Sequence, residues 1–399
     1  QSGGSVHIVA IDPSADPDLD TFPHHRISLG QVGRLISILR EQRCNKIVIV
    51  GSLSRPDFAT LRLDFGFFTN LGKILRLLRG GDDTVLRQVI LFFESHGFEV
   101  LGLADVAPGL LTQSGLLVPP NIPETELAGE IAKGLGLIRQ LGHLDVGQAV
   151  VVREGRITAI EAAEGTDAML QRLADRSPDC LQTHGVLIKA AKPEQDLRVD
   201  LPTIGPLTIQ MTATAKLAAI ALEARRSVIA DRLATLDDAR NAGIGVMGVM
   251  QGEQHCKTAM GPEGMAETMA NISRRRPSRS ELSDIALGCR VLDILVAKDV
   301  ESPSVVVNRG YVLAVGADEE FVNVVQRART RRQWGDRGPT RAGIAILQDA
   351  ELLTLAAIEA AVRARLRGIV CRKPVEDSIG SHLIEACDAH RLILLMADS

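Results

Sequence analysis

Aromatic side chains make up only 3% of this 399-residue chain, with one Trp, one Tyr and nine Phe. So sparse a set offers no stacking platform for bases or sugar rings. No apolar run reaches the roughly 18 residues that a membrane span requires, and the amino-terminal stretch does not read as a signal peptide. The six cysteines, Cys44, Cys180, Cys256, Cys289, Cys371 and Cys387, stand singly with no CxxC pair. That argues against a zinc ribbon or a disulfide scaffold and suits a reducing, cytoplasmic compartment. A net charge of -4 gives no general attraction for nucleic acid. No GxGxxG follows a strand-like run, so a dinucleotide fingerprint has no local support.

What is present is an ordinary globular composition, 45% hydrophobic and 24% charged, enough for a sizeable core. At about 150 residues per domain the length predicts two to three domains. The chain starts with Gln rather than Met and enters a strand-like run, Val6 to Ile11, almost at once. That reads as a fragment or as removal of an upstream segment.

Apolar runs and amphipathic stretches alternate in the first part of the chain. Val6 to Ile11, Lys46 to Val50 and Phe98 to Gly102 read as buried parallel strands. Between them lie helical patterns through Arg43, over Leu71 to Arg79, and from a cap at Asp83 or Thr84 to Phe93. Such alternation predicts an α/β layered sheet. In such sheets ligands sit at the carboxyl ends of strands, so the loop at Gly51 and Arg55 is a candidate binding edge. The run Pro119 to Pro123 reads as a hinge that closes this domain at residue 118.

Beyond the hinge the pattern predicts a helix from Glu124 to Leu141 and a hairpin turning at Gly155. Glu164-Gly165-Thr166-Asp167 then precedes a helix from Ala168. It reads as a helix cap or as a polar lip over a ligand. A helix through Ala221, short strands and the apolar run Ile244 to Val249 complete this second domain, residues 122–250. Residues 251–276 read as a linker ending in a solvated arginine run.

The stretch from His184 to Pro206 carries the densest chemistry. Gly185 to Ile188 is a short apolar strand, after which Lys189 and Lys192 bring positive charge and Pro193 forces a turned or extended path. Asp196, Arg198 and Asp200 fall on alternate residues, so an extended chain would place all three on one side. Gly205-Pro206 reads as a helix start, whose free N–H groups favour an anion. Carboxylates, cations and a helix start in one segment suit phosphate handling. A solvated edge strand with a surface ion pair is the bland alternative.

The last part of the chain echoes the second domain. Val150-Val151-Val152 is matched by Val305-Val306-Val307, Gly155 by Gly310 and Glu164 by Glu319, all 155 positions on. Residues 277–399 therefore read as a degenerate repeat of the second domain. The repeat has no counterpart of Lys192, Arg198 or Asp200. The hydrophobic skeleton is kept while the charged segment is lost, which weighs toward function for 189–206 in the first copy.

Several motifs together carry a family resemblance: VHIVAI from Val6, LGQVGRLI from Leu29, SRPD ending at Asp57, RGGDD ending at Asp83, LDVGQAVVV from Leu144, EGTDAML from Glu164 and KAAKPEQDLRVDLPTIGP from Lys189. Over residues ~5–250 the chain resembles the LpxI-type UDP-2,3-diacylglucosamine pyrophosphatases. The resemblance implies an α/β protein: a Rossmann-like N-terminal parallel-sheet domain, here lacking its first strand and glycine-rich turn, followed by a domain of the LpxI C-terminal type. The repeat at 277–399, outside that two-domain plan, makes two related α/β domains of the LpxI C-terminal type in this chain. It implies a cytoplasmic hydrolase of lipid A synthesis, in peripheral contact with the inner membrane surface. Its nucleotide-sugar lipid substrate would be held between domains, with a divalent metal, Mg²⁺, in a homodimer.

Placed on that implication, Asp200 is the candidate catalytic carboxylate and metal ligand, assisted by Asp196. Lys189, Lys192, Arg198, Thr203 and Gly205 are candidate substrate contacts, together with Glu164, Thr166, Asp167, Gln31, Gly51, Arg55 and Asp83. The missing glycine-rich turn favours a different outcome, a non-catalytic paralogue that binds a nucleotide-sugar lipid or serves as an assembly module. An unrelated nucleotide-binding α/β protein is a third reading.

Overall fold

Period-two apolar strands flanked by amphipathic helices build two compact units, residues 1–110 with 195–201, and residues 111–194 with 202–399. The computed structural model describes residues 5–12, 17–51, 82–176, 183–250, 269–332, 342–373 and 380–397.

In the first unit, strand β1 (Ile8–Asp12) pairs in parallel with β2 (His24–Ser28). Helix α1 (Val32–Glu41) follows, then β3 (Lys46–Val48), α2 (Asp82–Glu94) and β4 (Glu99–Leu101), with β3 parallel to β4. Ile36 and Leu39 of α1 and Ile90 and Phe93 of α2 pack with Phe98 and Val100 into one apolar cluster, which Val199 joins from the side. The parallel pairing of β3 with β4 is what strands connected through a helix should give. Helix α2 begins at Asp82, so Asp83 lies inside it rather than at the cap. The expected helix over Leu71 to Arg79 falls outside the described residues.

The second unit holds two six-stranded sheets. The elements of the first are β5 (Gly115–Val118), α3 (Glu124–Gly142), β6 (Ala149–Arg153), β7 (Arg156–Ile160), α4 (Thr166–Arg176), β8 (Val186–Lys189), β9 (Thr203–Ile204), α5 (Pro206–Thr214), β10 (Ala219–Glu223), β11 (Val228–Ile229), α6 (Arg232–Ala242) and β12 (Gly245–Val249). Its strand order is β5-β12-β10-β8-β6-β7. β8, β10 and β12 run parallel, while β6, β7 and β5 are antiparallel to their neighbours. β9 and β11 form a separate parallel pair.

The second sheet comprises β13 (Met269–Asn271), α7 (Arg279–Val296), β14 (Ser304–Asn308), β15 (Tyr311–Gly316), α8 (Phe321–Arg332), β16 (Ile344–Asp349), α9 (Leu355–Arg363), β17 (Gly368–Lys373), α10 (Ser381–Ala389) and β18 (Ile393–Ala397). Its order is β13-β18-β17-β16-β14-β15.

Alternate residues along each strand serve opposite faces, as strand geometry dictates. Val150, Val152, Val186 and Ile188 join a core that also takes in Val305, Val307, Ile344 and Ile346 of the second sheet. Val151 and Leu187 face a separate core on the far side, and Val306, Ala345 and Leu347 face another. The apolar runs of β8 and β16 are fully buried because both faces are covered.

Four readings of the sequence need correction. The run Ala219–Glu223 is a fully buried central strand, not the end of a helix. Helix α5 stops at Thr214, and Lys216 takes a left-handed conformation (φ 54°) that turns the chain into the sheet. Alanine-rich composition favours helix locally, but burial between two strands decides here. Second, the expected domain end at residue 118 falls inside the second unit, because β5 pairs with β12. Third, the expected linker is partly sheet, since β13 pairs with β18. Finally, Arg275 of the arginine run is no solvated tether: it bonds the Glu281 carboxylate at 2.7 Å.

Helix α3 lies against β8 at Gly134. A Cβ there would meet Ile188 Cδ1 at 2.7 Å and Cγ1 at 2.9 Å, whereas one at Gly129 of the same helix would meet nothing within 4 Å. Gly134→Ala is expected to destabilise the chain by about 1–3 kcal/mol through overpacking. Gly129→Ala should stabilise it by up to about 1 kcal/mol through helix propensity. Thermal unfolding of the two variants beside the native chain checks the contrast.

Candidate functional site

Lys189 ends β8 at the carboxyl edge of the second unit's sheet, beside Leu222 of β10 in register. Its stem is buried and its Nζ donates to the Thr203 carbonyl at 2.9 Å. That bond ties the strand exit to β9, whose first residue is Thr203, with an exposed side chain. Lys192 reaches back to Asp145, Nζ to Oδ1 at 2.5 Å. Gly205 sits extended at the start of α5 with Pro206 in the first turn, as the sequence predicts. Its N–H donates to Thr208 Oγ1 at 3.3 Å.

Residues 195–201 belong to the first unit. The segment is a turn rather than the extended run expected: the N–H groups of Val199 and Asp200 both donate to the Asp196 carbonyl at 3.2 Å. The cause lies in Asp196 itself. Its Oδ1 accepts the N–H of Arg198 at 3.1 Å, the local bond by which Asp residues stabilise turns. Strict alternation of Asp196, Arg198 and Asp200 on one side is therefore lost.

The turn closes around one guanidinium. Arg198 donates from Nε to Asp196 Oδ1 at 3.0 Å and from Nη2 to Asp196 Oδ2 at 2.8 Å, while Nη1 donates to Glu94 Oε1 at 3.0 Å. These hydrogen bonds from Arg198 hold the Asp196 carboxyl below the usual carboxylate range. The bond to Asp196 raises the Arg198 guanidinium in turn. Asp200 has a different environment: its Oδ2 accepts from the amide of Gln195, a neutral donor and a buried residue. Asp196 is thus bound on both oxygens to a cation, and an amide helps to orient Asp200.

The remaining candidates scatter. Glu164 is buried and pairs with Arg172 at 2.7 Å and Arg327 at 3.2 Å. Thr166 Oγ1 donates to Glu161 Oε1 at 2.9 Å. Helix α4 already includes Thr166 and Asp167, so neither precedes it as a cap, and Asp167 is exposed. Gln31 precedes α1 and its Oε1 accepts the Ser28 N–H at 2.9 Å. Gly51 is exposed with φ 108°, Asp83 lies in α2, and Arg55 is outside the described residues. Among the described residues no group of three or more His, Cys, Asp or Glu side chains is arranged to hold a metal ion.

Residues 1–110 match the model of the LpxI N-terminal domain, and residues 114–247 match that of the LpxI C-terminal domain. UDP-2,3-diacylglucosamine pyrophosphatase LpxI of Caulobacter vibrioides is 40% identical over 253 residues, which is 62% of this chain and 90% of that protein. The chain belongs to the LpxI family. The LpxI N-terminal match ends at Leu110, where the structure changes unit, and the C-terminal match begins at residue 114, inside the second unit. Residues beyond 247 lie outside both family matches.

Within the LpxI C-terminal domain the sequence reading passed over Glu223. It ends β10, is buried, and its Oε2 accepts the Ala191 N–H at 2.9 Å, fixing the loop between Lys189 and Lys192. Its only sequence signal is a lone carboxylate closing the apolar run AIALE. Burial pushes its carboxyl above the ordinary glutamate range, against the opposing pull of Arg226 at 3.4 Å. The folded state therefore binds the proton more tightly than the unfolded one. Stability from this group is greatest below the ordinary glutamate pKa and falls as pH rises toward the raised folded value. Glu223→Gln keeps an oxygen for the Ala191 N–H and removes the titration. Its Tm is expected to decline less than the native chain's between pH 4.5 and 7.5, a range that runs about three units upward from the reference value. Parallel Tm–pH curves for the two proteins would contradict this.

Proposed function

We propose that this chain hydrolyses the pyrophosphate of UDP-2,3-diacylglucosamine to UMP and 2,3-diacylglucosamine 1-phosphate. The observation that carries the reading is the 195–201 turn itself, which holds the carboxylates of Asp196 and Asp200 and the Arg198 guanidinium in one short segment. Pyrophosphate hydrolysis needs positive charge on the phosphoryl oxygens, an aligned water and a stabilised leaving group. Asp200, oriented by the Gln195 amide, is the carboxylate assigned to accept a proton from that water or to hold a metal ion. Asp196, committed to Arg198 through both oxygens, is a positioning residue. Membership of the LpxI family and the activity named for the Caulobacter vibrioides relative support the same reading.

Mg²⁺ takes one or two protein carboxylates and fills its shell from water and substrate phosphate. Asp200 is the residue that would hold it, and when bound the ion neutralises charge on the diphosphate. Arg198 is fixed by Asp196 and Glu94, with its charge partly offset, so it orients the turn as well as attracting phosphate. In the reaction a water oxygen bonds to one phosphorus, the bridging P–O bond breaks, and the water's proton passes to Asp200. The substrate, the metal and a peripheral encounter with a membrane surface all belong to this proposal. No helix among the described residues is long and apolar enough to cross a membrane.

The test is UMP release from UDP-2,3-diacylglucosamine with and without Mg²⁺. Asp200→Asn is expected to lower kcat by roughly 10²–10⁴-fold with little change in substrate affinity. Asp196→Asn should lower kcat less and raise KM, because Arg198 loses its anchor. Near-native turnover by Asp200→Asn would overturn the assignment, and no UMP release by the native chain with Mg²⁺ would favour the non-catalytic alternative.

A further inference from the structure

The two six-stranded sheets agree in more than strand order. The hairpins β6–β7 and β14–β15 each carry a register shift, between Val151 and Val152 in one and between Val306 and Val307 in the other, 155 positions apart. Each hairpin turns through two residues of positive φ, Glu154-Gly155 and Arg309-Gly310, again 155 apart. Each turn glycine donates its N–H to a carboxylate on the preceding long helix, Gly155 to Glu130 and Gly310 to Asp284. Close packing repeats as well: Gly134 of α3 faces Ile188, and Gly288 of α7 faces Ile346. Generic α/β packing fixes none of these irregularities, so their coincidence points to one ancestral domain.

The contact between the two sheets is symmetric in the same numbering. Glu164 and Arg172 of the first have their counterparts in Glu319 and Arg327 of the second. Glu164 pairs with its own Arg172 at 2.7 Å and with the opposite Arg327 at 3.2 Å. Glu319 pairs with its own Arg327 and with the opposite Arg172 at 3.7 Å. All four side chains are largely buried, the two carboxylates at 5% and 1% exposure. Helices α3 and α7 pack on each other, and the apolar residues beneath them form a single core. A contact in which one residue meets the counterpart of its own partner, and the reverse pair is made as well, is isologous, the signature of a two-fold pair.

We propose that residues 269–397 are a second copy of the 111–249 fold occupying, within one chain, the place a two-fold-related subunit would take, with the Glu164–Arg172–Glu319–Arg327 cluster on the pseudo-axis. The pairing face is thereby filled internally and is closed to a second chain. Peripheral ion pairs break the symmetry and fix which copy sits on which side: Lys133 with Asp299, Arg156 with Glu301 and Arg176 with Asp318. The copies have also diverged in content. β16 runs through a short 3-10 turn (Ala350–Leu352) directly into α9, where the first copy inserts the segment carrying Lys192 to Asp200. One half keeps the charged segment and the other serves as its structural counterpart.

A zero-length carbodiimide cross-link tests the pairing in the unmodified full chain. Lys133 Nζ and Asp299 Oδ2 lie 3.6 Å apart, so an amide joining them is expected, found by peptide mass analysis in monomer-sized material on a denaturing gel. In parallel, Glu319→Gln and Arg327→Met should each lower Tm by roughly 5–15 °C by leaving a buried charge unpaired. Glu164→Gln should match Glu319→Gln as its symmetry equivalent. The Glu319→Gln/Arg327→Met double variant should lose less than the sum, because Glu164 and Arg172 still pair. A link confined to dimer-sized material, or single variants with Tm within about 2 °C of native, would overturn the proposal.

Discussion

Arg198 makes two hydrogen bonds to one carboxylate of its own turn and a third to Glu94 of α2. The Arg198 backbone N–H adds a further bond to the Asp196 carboxylate at 3.1 Å. Charge-assisted bonds of this forked kind are the strongest a short segment can recruit. They explain why seven residues leave the second unit's chain path and fold as part of the first. Val199 adds an apolar anchor by packing on the α1–α2 cluster. The position of Asp200 follows, since its N–H is bonded to the Asp196 carbonyl and its carboxylate to Gln195.

On the sheet side, the same logic of local bonds at strand ends applies. Lys189, Glu223 and Asp145 each fix one point of the loop that leads to the turn: Lys189 the Thr203 carbonyl, Glu223 the Ala191 N–H, Asp145 the Lys192 ammonium. Loops at the carboxyl edge of parallel strands are where α/β proteins build sites, and rigid support beneath them is what catalysis requires. The buried four-charge cluster has the opposite character. Its groups neutralise one another, and its role is in joining two sheets.

Much of this was legible in the sequence. The valine runs at Val150 and Val305 announce buried strands, Gly155 its hairpin, and Gly205-Pro206 a helix start. These signals are local, so short-range periodicity and turn chemistry suffice to read them. What failed depended on distant partners. Ala219–Glu223 has helical composition but lies between β8 and β12. Asp196, Arg198 and Asp200 have strand spacing, yet a side-chain bond bends them into a turn. Glu164 looked like a ligand contact, and its partner Arg327 lies 163 positions away. No spacing rule reaches across that distance.

Amide hydrogen exchange at Val199 and Asp200 tests most directly whether Arg198 organises the turn that bears the candidate carboxylate. Both amides are predicted to exchange more slowly than a solvated loop in the native chain. Arg198→Ala should speed both by at least about tenfold, the loss of roughly 1.4 kcal/mol of local stability, while the β8 amides stay protected. Loop-like exchange in the native chain, or protection unchanged by the substitution, would contradict the account.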